Sequence, residues 1–181
     1  MRAVLDACVL YPTLLRAVLL GAARRGLFTP LWSDRILEEW RRAVIRNHPV
    51  QTDEAGAEIA LVTAAFPGAG VAVSGATLAR LSLPDAADCH VLAAAIDGGA
   101  TALVTLNLRD FPGRTLARDG VTPRSPDSLM LELHGEAPGA VADAVAEALA
   151  HLRTLSGNEA GDRALLKRAG LPRLGKALGR G

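Results

Sequence analysis

Aromatic residues are scarce, at 3% of the chain, with two tryptophans, one tyrosine and three phenylalanines. A core must therefore come from aliphatic side chains and alanine, a composition that favours helices packed closely through small residues and argues against a disordered or fibrous protein. Lysine is rarer still, since Lys167 and Lys176 are the only two. Arginine carries the remaining positive charge, which suits bidentate contact with phosphate oxygens, although high genomic G+C produces the same bias. Neither sign of charge is in excess: 20 Lys and Arg face 19 Asp and Glu, for a net charge of +1. The total gives no footprint for nucleic-acid binding, so only a local arrangement could supply one. Cysteine occurs at Cys8 and Cys89 alone, with no CxxC pair and no Cys/His zinc spacing. No long hydrophobic run is present either. The stretch Val91 to Ile96 is far too short to cross a bilayer, and MRAVLDACVL has an acid inside its apolar run and no signal-peptide core. These absences predict a soluble, cytoplasmic chain with no membrane partner and reduced thiols.

With 181 residues, half of them hydrophobic, the chain is long enough for one α/β domain with a small appendage. Residues 2–5 (RAVL) read as a buried strand ending at Asp6. From Tyr11 to Arg25 apolar residues recur at helical spacing, and Gly26 closes that helix. LFTPLWS is a second short strand. Ser33 is placed to cap the helix DRILEEWRRAVIRNH, which ends before Pro49. A further helix runs from Thr52 to Ala65, Val71 to Val73 is a candidate strand, Pro84-Asp85 opens the helix AADCHVLAAAI, and ALVTLN is another strand. This alternation predicts a mostly parallel sheet covered by helices, with the ligand site at the carboxyl ends of the strands. Around residue 135 the character changes. We read 1–135 as the main domain and 136–181 as a C-terminal helical extension.

Acidic residues then carry the argument. Asp6 closes an apolar run, where a carboxylate either caps the next helix or meets a cation. Glu38 and Glu39 lie beside the helical stripe Ile36, Leu37, Trp40, Ala43 and Val44. Adjacent helical residues diverge by about 100°, so only one can face inward. Glu39 is on the inward edge, with Glu38 as its substitute. Asp85 suits an N-cap, whereas Asp88 sits one turn in, on the face completed by Leu92 and Ala95. Asp110 follows ALVT through the turn Leu106-Asn107-Leu108-Arg109, where a sheet enzyme keeps its chemistry. Such a set of oxygen ligands suits a hard divalent cation that keeps several waters.

VLDACVLYP at 4–12, ILEEW at 36–40, PDAADCHVLAAAI at 84–96 and LVTLNLRDFP at 103–112 resemble the successive motifs of PIN-domain proteins, and most nearly the bacterial VapC-like toxins, over residues 2–135. The resemblance implies a three-layer, Rossmann-like α/β/α domain and an Mg²⁺- or Mn²⁺-dependent endoribonuclease. It also implies Asp6, Glu39, Asp88 and Asp110 as catalytic residues, with Asp6, Asp88 and Asp110 on the metal. Thr105 and Asn107 would support metal waters or substrate phosphate, and Asp85 could join the shell. The implied partners are an RNA substrate, a small antitoxin and a second copy in a homodimer. Two positions depart from the pattern: Cys8 stands where a small polar residue is common, and Ala87 where another Asp is frequent. The basic tail residues Arg163, Lys167, Arg168, Arg173 and Lys176 either face solvent or meet RNA or the antitoxin.

Three rival readings fit the sequence less well. A haloacid-dehalogenase-type phosphotransferase also begins with an Asp after its first strand, but it needs a second Asp at position 8, which here is Cys. Gly68, Gly70 and Gly75 only loosely imitate a dinucleotide-binding turn and precede a strand rather than follow one. A catalytically silent PIN-like module that binds RNA or protein is the rival from a different class. Retention of the spaced acids argues against it.

Overall fold

Arg2–Leu5 form the first strand, β1, in a computed structural model that describes residues 1–48, 52–157 and 160–179. The chain continues through α1 (Ala7–Leu10), α2 (Thr13–Arg24), β2 (Thr29–Leu31), α3 (Asp34–Asn47), α4 (Thr52–Ala65) and α5 (Gly75–Ala79). A 3-10 turn at Ala86–Asp88 leads into α6 (Cys89–Asp97), followed by β3 (Ala102–Val104), a second such turn at Leu108–Asp110, α7 (Gly113–Leu116) and β4 (Thr122–Arg124). Then come α8 (Pro126–Glu136), α9 (Pro138–Ser156), α10 (Asp162–Arg168) and α11 (Pro172–Leu178). Pro49, placed by the sequence after the third helix, and Asn158, in the expected break near the C-terminus, lie outside the described residues.

The strands form one parallel sheet in the order β2-β1-β3-β4, flanked by helices. This is the α/β class that the alternation implied, consistent with a three-layer α/β/α domain. Packing separates the chain into two units interleaved in sequence: Met1–Tyr11 with Thr29–Pro123, and Pro12–Phe28 with the segment from Arg124 onward.

In the first unit β1 is central, paired to β2 through Val4↔Leu31 and to β3 through Val4↔Leu103 and Leu5↔Val104. Ala3, Val4, Leu5, Leu103 and Val104 are all fully buried, which explains why these strands read as continuous apolar runs. The chain winds from β1 to β2 on one side and then places β3 and β4 on the other. The winding therefore reverses between β1 and β3, where such sheets open a crevice at their carboxyl ends. Helix α6 packs on both of these strands. Ser33 caps α3 as expected, its hydroxyl accepting the Ile36 N–H. The few aromatics do go inside: Trp32 and Trp40 are fully buried, and Trp32 meets Phe66 edge-to-face at 6.0 Å between ring centres.

Two expectations for this unit need correction. Val71–Val73 is not a strand; the contact reduces to a single parallel bridge, Trp32↔Gly70, held by Trp32 N–H to Ala69 O and Val71 N–H to Trp32 O. The strand ALVTLN stops at Val104, because Thr105 turns its hydroxyl to neighbouring groups instead of continuing the ladder. Gly98, expected to end α6, does so for a second reason. A Cβ there would lie 2.8 Å from the Ala94 carbonyl and 2.9 Å from the Val71 side chain.

In the second unit α2 packs against α9 at close range, a Cβ at Gly21 falling 3.3 Å from that of Ala144. Small side chains permit this approach, as the alanine-rich composition suggested. Buried Asp127 on α8 accepts the backbone N–H groups of Arg173 and Leu174, both at 3.0 Å, and so caps α11 from a different helix. No helix among the described residues is long and apolar enough to cross a membrane.

Candidate active site

Asp6 leaves β1 at its carboxyl end, and Thr105 leaves β3 beside it, one step beyond the pair Leu5↔Val104. Asp6 donates its backbone N–H to the Val104 carbonyl at 3.1 Å and accepts the Thr105 hydroxyl on Oδ2 at 2.7 Å. Both side chains are buried. A buried carboxylate needs such donors to offset lost hydration.

Cys8 supplies the second donor. Its thiol reaches the same Asp6 oxygen at 3.1 Å, lies 3.4 Å from the Thr105 hydroxyl, and accepts the Leu106 N–H at 3.2 Å. The departure from a small polar residue at this position therefore keeps a hydrogen bond to Asp6, in a sulfur form. Burial and the Asp6 charge push the Cys8 thiol up to about 12, so it stays protonated and a donor. Both cysteines are free.

Thr105 also shapes the following loop. Its oxygen accepts the Asn107 N–H at 3.0 Å, and the Asn107 carbonyl accepts the Asp110 N–H at 3.0 Å. This relay turns Leu108–Asp110 back toward the strand ends. Asn107 contributes its backbone to that turn, while its side chain is exposed. Asp110 is half-buried, with the guanidinium of exposed Arg109 at 3.7 Å.

Asp85 and Asp88 come from the turn before α6. Asp85 caps that turn, accepting the Ala87 N–H at 2.8 Å, whereas Asp88 makes no capping bond with its side chain. Burial and the charges of Asp6, Asp85 and Asp110 push the Asp88 carboxyl up to about 6, against a smaller opposing pull from His90. These acids, scattered over the sequence, thus share one electrostatic neighbourhood. The carboxyl ends of the two switch-point strands and the α6 entry bring them there.

Glu39 instead meets groups outside that set, His90 and Arg35. It lies 2.9 Å from His90 Nε2 and 3.4 Å from Arg35 Nε. Burial raises its carboxyl, but His90 and Arg35 outweigh that and leave it below the ordinary value. Glu38 is committed elsewhere, to Arg41 and Arg42, each at 2.7 Å. The two side chains are about equally exposed, and Glu39 is the one whose contact is with buried His90. His90 and Arg35 were not singled out in the sequence. His90 carried a weak signal, a polar residue on the buried face of α6 two positions after Asp88.

Among the described residues no group of three or more His, Cys, Asp or Glu side chains is arranged to hold a metal ion. The fit to a cation is one of donor type and charge. The neighbourhood presents carboxylate oxygens, and Asp88 is pushed up first by burial and then by the charges of Asp6, Asp85 and Asp110.

A family model described as PIN domain matches residues 2–109, more than half of the chain. Asp6, Glu39, Asp85, Asp88, Thr105 and Asn107 lie within the match, and Asp110 is the next residue after it. No curated protein and no solved structure gives a match. With its sheet, its switch-point acids and this match in agreement, the chain belongs to the PIN-domain family, a nuclease-type fold.

Proposed function

We propose that the chain is a metal-dependent endoribonuclease of the VapC-like type, the toxin of a toxin–antitoxin pair. The observation that carries this reading is the gathering of Asp6, Asp85, Asp88 and Asp110 into one electrostatic neighbourhood at the carboxyl ends of the switch-point strands and the entry to α6. Like charges gathered at the mouth of a sheet raise the energy of the fold, and a divalent cation with a phosphodiester is the ligand that such a set suits. PIN domains generally use divalent metal ions.

Asp6, Asp88 and Asp110 would hold Mg²⁺ or Mn²⁺, with Asp85 at the edge of the set. When bound, the cation neutralises phosphate charge and orients water for hydrolysis. The chain's own groups prepare that arrangement. Thr105 and Cys8 fix one Asp6 oxygen by hydrogen bonds and so aim the other. The Thr105–Asn107–Asp110 relay sets the loop that carries Asp110. Glu39, held between His90 and Arg35 and kept ionised, is the catalytic carboxylate on the α3 side. The antitoxin, homodimer and RNA partners rest on the family resemblance.

Cleavage of total cellular RNA by the purified chain, with Mg²⁺ or Mn²⁺ and with EDTA, tests this reading alongside Asp88→Asn. Discrete fragments that need metal and vanish in the variant are expected. Folded chain, free of any antitoxin, that gives no metal-dependent cleavage would instead identify a silent binding module.

A further inference from the structure

A cavity of about 250 Å³ opens in the first unit beside the acidic neighbourhood, lined among others by Asp34, Arg35, Val71, Val73, Leu78 and His90. Its walls combine two chemistries. Val71, Val73 and Leu78 are half-buried aliphatics that give the cavity an apolar wall. Asp34 and Arg35, in the first turn of α3, bring a hydrogen-bond acceptor and a fork of donors to the same cavity. His90 adds an imidazole that is only 2% exposed and whose Nδ1 has no hydrogen-bond partner. Buried ring nitrogens are normally paired, so this wall has unused hydrogen-bonding capacity.

Arg35 also connects the cavity to the acids. Its Nη2 donates to the Ala87 carbonyl at 3.3 Å, immediately before Asp88, and its Nε lies 3.4 Å from Glu39. A guanidinium has five N–H donors, and half of this side chain is exposed, so donors remain for a ligand.

We propose that this cavity is a subsite for a single nucleobase, splayed out of a single-stranded nucleic acid whose backbone passes Arg35 on its way to the carboxylates. The apolar wall would take the face of the ring, and Asp34 and Arg35 would read donors and acceptors on its edge, the pairing by which carboxylates and guanidiniums select bases. The size agrees: the cavity falls just below the roughly 300–1,000 Å³ of sites for drug-sized ligands, the scale of one ring system. The placement of the backbone rests on the nuclease reading above; the cavity's ligand chemistry does not.

The four common ribonucleoside 5′-monophosphates, added singly to the full chain in EDTA, are the probes. Methyl NMR of Val71, Val73 and Leu78 is the readout. At least one nucleotide is expected to shift these methyls saturably, and Val73→Trp, which fills the cavity from a half-buried wall position, should abolish the shift with the fold intact. Ala72→Phe, at an exposed position of the same wall, gives the same information should Val73→Trp fail to fold. Where the chain cleaves RNA, the base bound most tightly should be the one preferred beside the cut, and the filled variants should lose that preference by tenfold or more while still cleaving. Absence of any saturable shift overturns the subsite, whatever cleavage shows. Saturable shifts in a chain that cleaves nothing uphold the subsite and remove the nuclease reading instead.

Discussion

Thr105 donates a 2.7 Å hydrogen bond to Asp6 across the boundary between two parallel strands, joining residues 99 positions apart at the point where the sheet reverses its winding. The bond is buried, and its acceptor is a carboxylate, the combination in which a hydrogen bond contributes most.

Thr105→Val keeps the shape of the side chain and removes the donor. The loss of a hydrogen bond to a charged group costs about 1.5–3 kcal/mol. It also frees the Asn107 N–H from its partner. We expect a lower Tm and a fall of at least tenfold in metal-dependent cleavage. Thr105→Ser should restore most of both, and a Ser variant as poor as Val would show that the methyl, not the hydroxyl, matters.

Asp88 should act in the opposite sense on stability. Its carboxyl titrates near 6 in the fold, against an ordinary 3.8. Between those values the folded chain binds more protons than the unfolded one, so this group's contribution falls as pH rises through the window and is flat above it. In EDTA, Asp88→Asn should therefore match or exceed the wild-type Tm at pH 7. The gap should close as the pH is lowered from about 6 toward 4. Thermal melts of both proteins across that range check it, and a variant much less stable at pH 7 would mean that Asp88 is a structural acid.

Cys8 should be inert for the same reason that it is useful. Burial and the Asp6 charge push its thiol up to about 12, and only the thiolate reacts with alkylating agents. Native chain should label at Cys8 far more slowly with iodoacetamide at pH 8 than chain unfolded in urea. Mass spectrometry of the Cys8 peptide measures the ratio, and equal rates would contradict the buried hydrogen-bonded geometry.

Asp127→Ala should loosen the second unit without touching the acids. The substitution removes the acceptor of the Arg173 and Leu174 N–H groups at the start of α11. Loss of a cap costs about 0.5–2 kcal/mol, with more to follow when the orphaned groups are buried. Hydrogen exchange should accelerate through α11, and Asp127→Asn, which retains one acceptor, should fall between. Unchanged exchange in α11 would show that its packing alone holds it.

Much of the framework was legible because local rules decided it. Short apolar runs marked β1, which ends at Asp6, and β3, Ser33 announced α3, and Gly26, Gly98 and Gly99 marked helix ends. The choice of Glu39 over Glu38 followed from helical geometry; in the structure Glu39 meets His90 and Glu38 meets Arg41 and Arg42. The strand expected at Val71–Val73 failed because a lone aliphatic triplet pairs only if a neighbouring edge is long enough to receive it. Here the contact is the single bridge Trp32↔Gly70, just past the end of β2.

The sequence by itself determined β1, α2, α3, α4 and α6 and their alternation, and it singled out the acids as candidates, since periodicity, capping and residue chemistry act over a few positions. Only the tertiary structure decided what those residues meet. Asp6 with Thr105, Glu39 with His90 and Asp127 with the α11 N-terminus are pairs separated by tens of residues. Strand register and helix packing set such distances, and no local pattern encodes them.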